Sequence, residues 1–343
     1  MAVGVEEQVK TALAVAAAET ASPEERAEML MEIAIGLQVK PKSPQELIVA
    51  VELYERSLAL CPPEQALLAA RIRARMATAL QQVPESGTDT LVRAREALQE
   101  ALPIFRAEGA PEELAEIEMN LGLVLQSLAG AGKARITDAI SAYQRALRTF
   151  DRLRFPKEYA ILQNNLATAF LSIPFTDERA KMREALAVQA FEDGLKVVNL
   201  IDHPAEYAML QNNLGNALQY ASSSHAVENN VRALEAYDEA LKVRTCDAMP
   251  VAYANTIANK ANCLWNLPDD PENPDSGNHR NITTAKGLYA EAREIFNRAG
   301  EQEKARLMAE AIDRIGRESL SLAHANGSAG AAVGHHAEGD QIQ

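Results

Sequence analysis

The residues that could do covalent or metal chemistry are few, and their spacing is wrong for it. Gly130-Ala131-Gly132-Lys133 has the look of a phosphate loop, in which glycine amides cradle phosphates and a lysine reaches them. That pattern needs glycine at 127 and Ser or Thr after the lysine, and the chain has Ser127 and Ala134. Ser222-Ser223-Ser224-His225 sets hydroxyls beside an imidazole, yet a nucleophile also needs an orienting acid and a preformed oxyanion site. The histidines are His203, His225, His279, His324, His335 and His336, and no two share an ordered helix at the i, i+4 spacing of metal ligands. Cys61, Cys246 and Cys263 match neither a zinc pattern nor a disulfide framework, and three scattered thiols suit a reducing compartment. No catalytic residue, metal site or cofactor is therefore expected.

Composition narrows the class further. With 34 basic and 48 acidic residues the net charge is −14, which argues against a nucleic-acid partner and against adsorption to anionic membranes. The chain shows no signal-peptide pattern and no apolar run long enough to span a bilayer, so a cytoplasmic location is expected. Hydrophobic residues make up 47% but aromatics only 5%, and alanine is abundant throughout. That mixture suits closely packed helices better than a sheet.

The elements that would carry any site are repeated. Pro156-Lys157-Glu158-Tyr159-Ala160-Ile161-Leu162-Gln163-Asn164-Asn165-Leu166 recurs 48 residues later from Pro204, altered only at Ala205 and Met209. Weaker copies start at Pro111 and Pro250, and near Pro23 and Pro63, so that successive prolines stand 40, 48, 45, 48 and 46 residues apart. Each proline suits the first turn of a helix, where its missing N–H has no partner to lose. A second helix follows in each unit with a small–large–small rule: Ala50/Tyr54/Ser57, Ala94/Leu98/Ala101, Ala139/Tyr143/Ala146, Ala187/Phe191/Gly194, Ala233/Tyr237/Ala240 and Ala285/Tyr289/Ala292. These i, i+4, i+7 positions share one helical face. Extended turns within units are expected at 82–90, 128–135, 172–181, 221–229 and Pro268–Gly277, clustered along one edge.

The paired rules resemble the tetratricopeptide repeat, whose first helix carries an Asn-Leu-Gly-like core and whose second carries Ala-x3-aromatic-x2-Ala. Asn213-Leu214-Gly215 and Ala233/Tyr237/Ala240 fit it best, and the likeness covers roughly residues 20–315. The unit is longer than the family's usual repeat, and its Gln-Asn-Asn-Leu form is similar to repeats of kinesin light chains and of bacterial tetratricopeptide proteins that accompany caspase-like proteases. The resemblance implies an all-α, right-handed superhelical solenoid of about six helix pairs. Its expected parts are a capping helix at 1–20, an array of six units of about 40–48 residues at 21–298, a capping helix at 299–318, and a disordered tail at 319–343.

In that family the first helices line an inner groove. Aligned on the Asn-Leu-Gly core, Asn164 and Asn212 take one inward position, Thr168, Asn216 and Asn262 follow a turn later, and Gln126, Gln219 and Trp265 another turn on. Carboxamides suit an extended peptide because each offers a donor and an acceptor to the main chain. The second Asn of each pair, Asn165 or Asn213, is expected to bond locally. Arg71 and Arg75 take the matching positions in the second unit, where they could clamp carboxylates or a phosphate, or could pair with internal acids such as Glu28 or Glu32. The family's carboxylate-clamp order is absent. The expectation is a non-enzymatic scaffold or adaptor that binds a partner protein or peptide in a groove from about Arg71 to Trp265. A peptide-sensing regulator and a self-assembling homo-oligomer are the alternatives.

Overall fold

The computed structural model describes residue 14, 21–84, 87–174, 178–221 and 225–332, with backbone alone at 274 and from 318. The described residues form thirteen α-helices, one 3-10 turn at Pro274–Ser276, and no strand. The expected capping helix at 1–20 lies, apart from Ala14, outside the described residues, as does the end of the chain after Ala332. None of the described helices is long and apolar enough to cross a membrane. The fold class is an all-α helical-repeat solenoid, and the chain divides after Thr176 into two compact units.

The first unit holds α1 (Pro23–Val39), α2 (Pro44–Leu60), α3 (Ala66–Gln82), α4 (Asp89–Glu108), α5 (Pro111–Gly130), α6 (Ile136–Ala146) and α7 (Pro156–Leu171). Each helix packs on the next in sequence, and α1, α3, α5 and α7 also touch one another in that order. The second unit holds α8 (Glu178–Leu195), α9 (Pro204–Gln219), α10 (Ala226–Leu241), α11 (Pro250–Trp265), α12 (His279–Arg298) and α13 (Gln302–Ala332). It too is built from sequence neighbours, with α9 touching α11.

Proline opens α1, α5, α7, α9 and α11 as expected, and opens α2 at Pro44 as well. Pro63 is different: it stands ahead of α3, which begins at Ala66. A capping box starts α1, with Glu25 N–H donating to Ser22 Oγ at 3.1 Å and Ser22 N–H donating to Glu25 Oε2 at 2.7 Å. Three linkers between pairs share one turn. Asp151, Asn199 and Thr245 each use a side-chain oxygen to accept from backbone N–H groups two or three residues on.

The small–large–small faces form the core. Tyr54, Leu98, Tyr143, Phe191 and Tyr237 are fully buried, and Tyr289 nearly so. Two first helices are cut to fit those rings. A Cβ on Gly215 would stand 2.6 Å from the Tyr237 ring, and Gly122 meets the Tyr143 ring as closely, so only glycine admits the aromatic.

The turns are shorter than expected. Helix α5 runs to Gly130, and α8 and α10 begin at Glu178 and Ala226, inside segments expected to be loop. Gly130-Ala131-Gly132-Lys133 is a helix end. Gly132 has φ 71°, its N–H donates to Ala129 O, and Lys133 N–H donates to Leu128 O, which is the Schellman pattern. Gly300 ends α12 in the same way. Helix α13 lays Ala305, Met308, Ile312 and Ile315 on the α11–α12 core. It continues to Ala332, past the boundary expected at 318, through a segment rich in alanine, the strongest helix former.

Candidate functional site

The first-helix residues expected to line a groove separate by unit. In the first unit, Arg71 and Arg75 extend from α3 and meet acids of α5. Arg71 Nε and Nη2 donate to Glu113 Oε1 and Oε2 at 2.7 and 3.2 Å, and Arg75 Nη1 lies 3.7 Å from Glu116 Oε1. The acids come from the following pair, not from Glu28 or Glu32 of the preceding one, although Glu28 adds to the field that raises the Arg71 pKa. The Arg71 guanidinium in turn holds the Glu113 carboxyl below its ordinary value. The cleft beside this pair has a volume of about 40 Å³.

Gln126 and Thr168 lie in a closed relay. Tyr143 Oη donates to Gln126 Oε1 at 2.8 Å, Gln126 Nε2 donates to Thr168 Oγ1 at 3.1 Å, and Thr168 Oγ1 donates to Asn165 O at 2.9 Å. The same relay runs from Tyr54 through Gln38 and Thr78 to Arg75 O. A buried tyrosine hydroxyl needs a partner, and these side chains supply it while tying one pair to the next. Asn164 is buried, and its Nδ2 donates to Asn165 Oδ1 at 3.2 Å.

Asn212, in the second unit, is also buried. Its Nδ2 donates to Asn213 Oδ1 at 3.0 Å, and its Oδ1 accepts from Thr256 Oγ1 at 3.0 Å. The equivalence of Asn164 and Asn212 is therefore seen, but both stand beneath the surface instead of lining it. Burial suits them to the join between neighbouring helices, because an interior carboxamide must find partners there.

A turn further along, the relay of the first unit is left open. Tyr237 Oη lies 2.8 Å from both Asn216 Oδ1 and Gln219 Oε1, and its single proton serves one of them at a time. The register of Thr168 is taken by Asn262, whose Nδ2 donates to Tyr220 Oη at 2.7 Å. Gln219 Nε2 is consequently buried without an acceptor among the described residues. Asn216 Nδ2, Asn259 Oδ1 and Asn262 Oδ1 have no protein partner among the described residues and are not sealed from solvent. Tyr220 is 67% exposed beside them. Trp265 ends the row, with the Arg314 guanidinium of α13 over its ring at 4.4 Å.

Set beside solved structures, the chain finds helical repeats. It aligns with a signal-transduction ATPase with numerous domains, carrying a tetratricopeptide repeat sensor, from Pyrococcus horikoshii: 14% identity, TM-score 0.56, over 84% of this chain and 40% of that one. The fold is tetratricopeptide-like. This chain thus spans less than half the length of that protein. Two other similar structures are a Rap protein complexed with competence and sporulation factor (13% identity, 87% and 81% covered, TM-score 0.45) and the TPR2AB-domain:pHSP90-complex of yeast Sti1 (13%, 84% and 98%, TM-score 0.29). No family model and no curated protein matches the chain.

Three features stand outside the sequence-based site. Glu118, 3% exposed, accepts from Arg106 Nη2 at 3.1 Å and from Arg145 Nη2 at 2.7 Å. It occupies the register of Gln163 and Gln211, so a lone charge in a repeating amide position was its signal. Arg244 is half-buried in the linker before α11, and its Nη1 donates to Thr256 Oγ1 at 3.0 Å. A second cleft, of about 490 Å³, lies among α8, α9 and α10, with Glu192 and Arg232 paired on its wall at 2.8 Å. Among the described residues no three His, Cys, Asp or Glu side chains converge as a metal site.

Proposed function

We propose that the chain is a non-enzymatic binding protein, an adaptor, and that the α9–α11 face of its second unit holds an extended peptide segment of a partner protein. The observation that carries this is the row of carboxamides at Asn216, Asn259 and Asn262, each with one half free of protein partners among the described residues, flanked by Tyr220 and Trp265. An extended main chain presents alternating N–H and C=O groups, and Asn216 Nδ2 with Asn259 and Asn262 Oδ1 offers the matching donor and acceptors. The aromatic neighbours add area for side chains of the peptide at low entropic cost. The three cysteines are free thiols, which suits the cytoplasm.

Trp265 is the only tryptophan, so its emission reports on this face. Disordered peptides selected on the immobilised full chain should shift Trp265 fluorescence on binding. They should bind an Asn259→Ala/Asn262→Ala variant about ten-fold more weakly, the scale expected when one or two hydrogen bonds are lost. Helicity and melting should be unchanged. Equal binding by wild type and variant would remove this face from consideration.

A regulatory reading rests on one further contact. Arg314 couples α13 to the Trp265 ring, so a ligand that takes the ring competes with the terminal helix. Faster amide exchange in α13 on peptide binding would favour a sensor, and unchanged exchange a passive adaptor.

A further inference from the structure

The three linkers 147–155, 196–203 and 242–249 follow the same turn into a proline-opened helix. One residue ahead of the turn-forming Asp151, Asn199 and Thr245 stand Phe150, Val198 and Arg244. Phe150 and Val198 are buried at 6% and 4% exposure. At one register of the following helices stand Leu162, Leu210 and Thr256, all with no exposure. The first two linkers thus set two apolar residues at these registers. In the third both have become polar, and they bond to each other, Arg244 Nη1 donating to Thr256 Oγ1.

Such a paired change places a cation where the other repeats keep an apolar group. Arginine cannot shed its proton, so the charge persists on burial. A charge in that position is costly unless an acid compensates it. The chain carries 48 acidic residues, yet no carboxylate stands within ion-pair distance of Arg244 among the described residues. Burial moves its pKa downward. Its Nε and Nη2 have no protein partner among the described residues and are not sealed from solvent. Through Thr256 the guanidinium joins Asn212 Oδ1, which also lies 3.5 Å from Asn259 Nδ2. Arg244 is thus joined by hydrogen bonds to the start of the half-engaged carboxamide row.

We propose that Arg244 is the acid-recognising subsite of this face, taking the carboxylate of an Asp or Glu side chain on the bound peptide. The assignment rests on the peptide-binding reading above. A guanidinium with two free nitrogens matches the two oxygens of a carboxylate, and the peptide would bring the charge that the fold omits.

Two arms on the full chain test this. In the first, acetate is titrated at constant ionic strength against chloride while the Arg244 Nε–H resonance is followed. A saturable shift of this resonance, assigned by its loss in Arg244→Val/Thr256→Leu, is expected in wild type. That double variant copies Val198 and Leu210 of the preceding repeat, so it should fold, with a stability close to that of wild type or above it. In the second, each acidic residue of a selected peptide is changed to its amide. One exchange should weaken binding to wild type about ten-fold and leave binding to the double variant unchanged. No saturable acetate shift would overturn the subsite whatever peptides do. An acetate shift with no coupled peptide position, or saturable binding of free succinate in place of any peptide, would overturn its assignment to a peptide side chain. Loss of Asn259 and Asn262 without effect on peptides, with the acetate shift intact, would instead sink the face reading alone.

Discussion

The two units treat an interior charge in opposite ways. In the first, the Glu118 carboxylate is gripped by Arg106 and Arg145 from the flanking helices. In the second, the Arg244 guanidinium has a threonine hydroxyl and, among the described residues, no acid. The polar rows divide likewise: the Tyr143–Gln126–Thr168 relay is closed, and the Tyr237–Asn216–Gln219 cluster lacks an acceptor for Gln219 Nε2. Even the exposed arginines Arg71 and Arg75 have acids opposite them. A scaffold needs its polar groups matched internally, whereas a surface that binds must keep some unmatched until a partner arrives. The difference lies in these particular rows, since the first unit also holds buried unmatched atoms at Arg145 Nε and Asn165 Nδ2; on the proposed reading the Asn216–Gln219 cluster and Arg244 are the groups kept for a partner.

The widest separation between the units should come from removing the two charges. Glu118→Ala leaves two guanidiniums without their shared acid, though both reach solvent, so a loss of about 3 kcal/mol is expected, at the low end for breaking a buried pair. Arg244→Val with Thr256→Leu should change stability by less than about 1 kcal/mol or raise it, since apolar replacement of buried polar groups is often neutral or favourable. Urea unfolding of both variants checks this. Equal destabilisation would mean that Arg244 is a structural member and the contrast between the units is false.

Next in size is a change that the units should feel alike. Gly122→Ala and Gly215→Ala each drive a methyl into a buried tyrosine ring, an overpacking that costs about 1–3 kcal/mol. Similar losses in both would show that the units share one packing rule and differ only in their polar groups. A neutral Gly215→Ala would show that the second unit yields where the first does not.

That packing rule was the part most legible in the sequence. A ring such as Tyr54 or Tyr237 is flanked by small residues at fixed helical spacing, and burial follows from the spacing alone. The proline starts were legible for the same reason, a local steric rule, and the one exception, Pro63, lies where the helix begins late. Partner choice was not legible. Gln126 and Thr168 looked like ligand-facing groups, because nothing local reveals that Tyr143 Oη, on another helix, needs an acceptor. Arg71 was left open between a ligand and Glu28 or Glu32, and the acid it meets, Glu113, comes from the other neighbouring pair. Arg244 was not legible either, because the repeat signal lies in the helices and the informative difference lies in a linker.

Smaller effects should follow the hydroxyls. Tyr143→Phe removes the donor to Gln126 Oε1 and should cost about 1 kcal/mol, the usual net worth of such a bond. Tyr237→Phe should cost less, because its one proton leaves an oxygen of Asn216 or Gln219 unserved in the wild type already. Burial pushes both phenols above their ordinary pKa of 10.0. The unfolded chain therefore gives up those protons first as pH rises, and stability should begin to fall above about pH 10. Absorbance of phenolate, followed together with helicity, should show these two tyrosines ionising only as helix is lost. Their ionisation in the native protein near pH 10 would place both rings in contact with water.

The smallest effect tests whether the first unit's surface arginines are truly occupied. Glu113 has its pKa lowered, chiefly by the hydrogen bond from Arg71. A carboxyl lowered on folding adds stability above its unfolded value, ordinarily 4.5, and loses that contribution as pH falls through the folded one. Both partners are partly exposed, so the contribution is screened and should stay below about 1 kcal/mol. Glu113→Gln keeps an oxygen that can accept from Ala110 N–H at the start of α5, and so isolates the ion pair from the helix cap. At neutral pH the variant should unfold slightly earlier in urea than wild type, and the gap should close in acid. A gap that persists in acid would assign it to the cap. No gap at any pH would mean that Arg71 gains nothing from Glu113, and Arg71 would then rejoin Arg244 among the cations open to a partner.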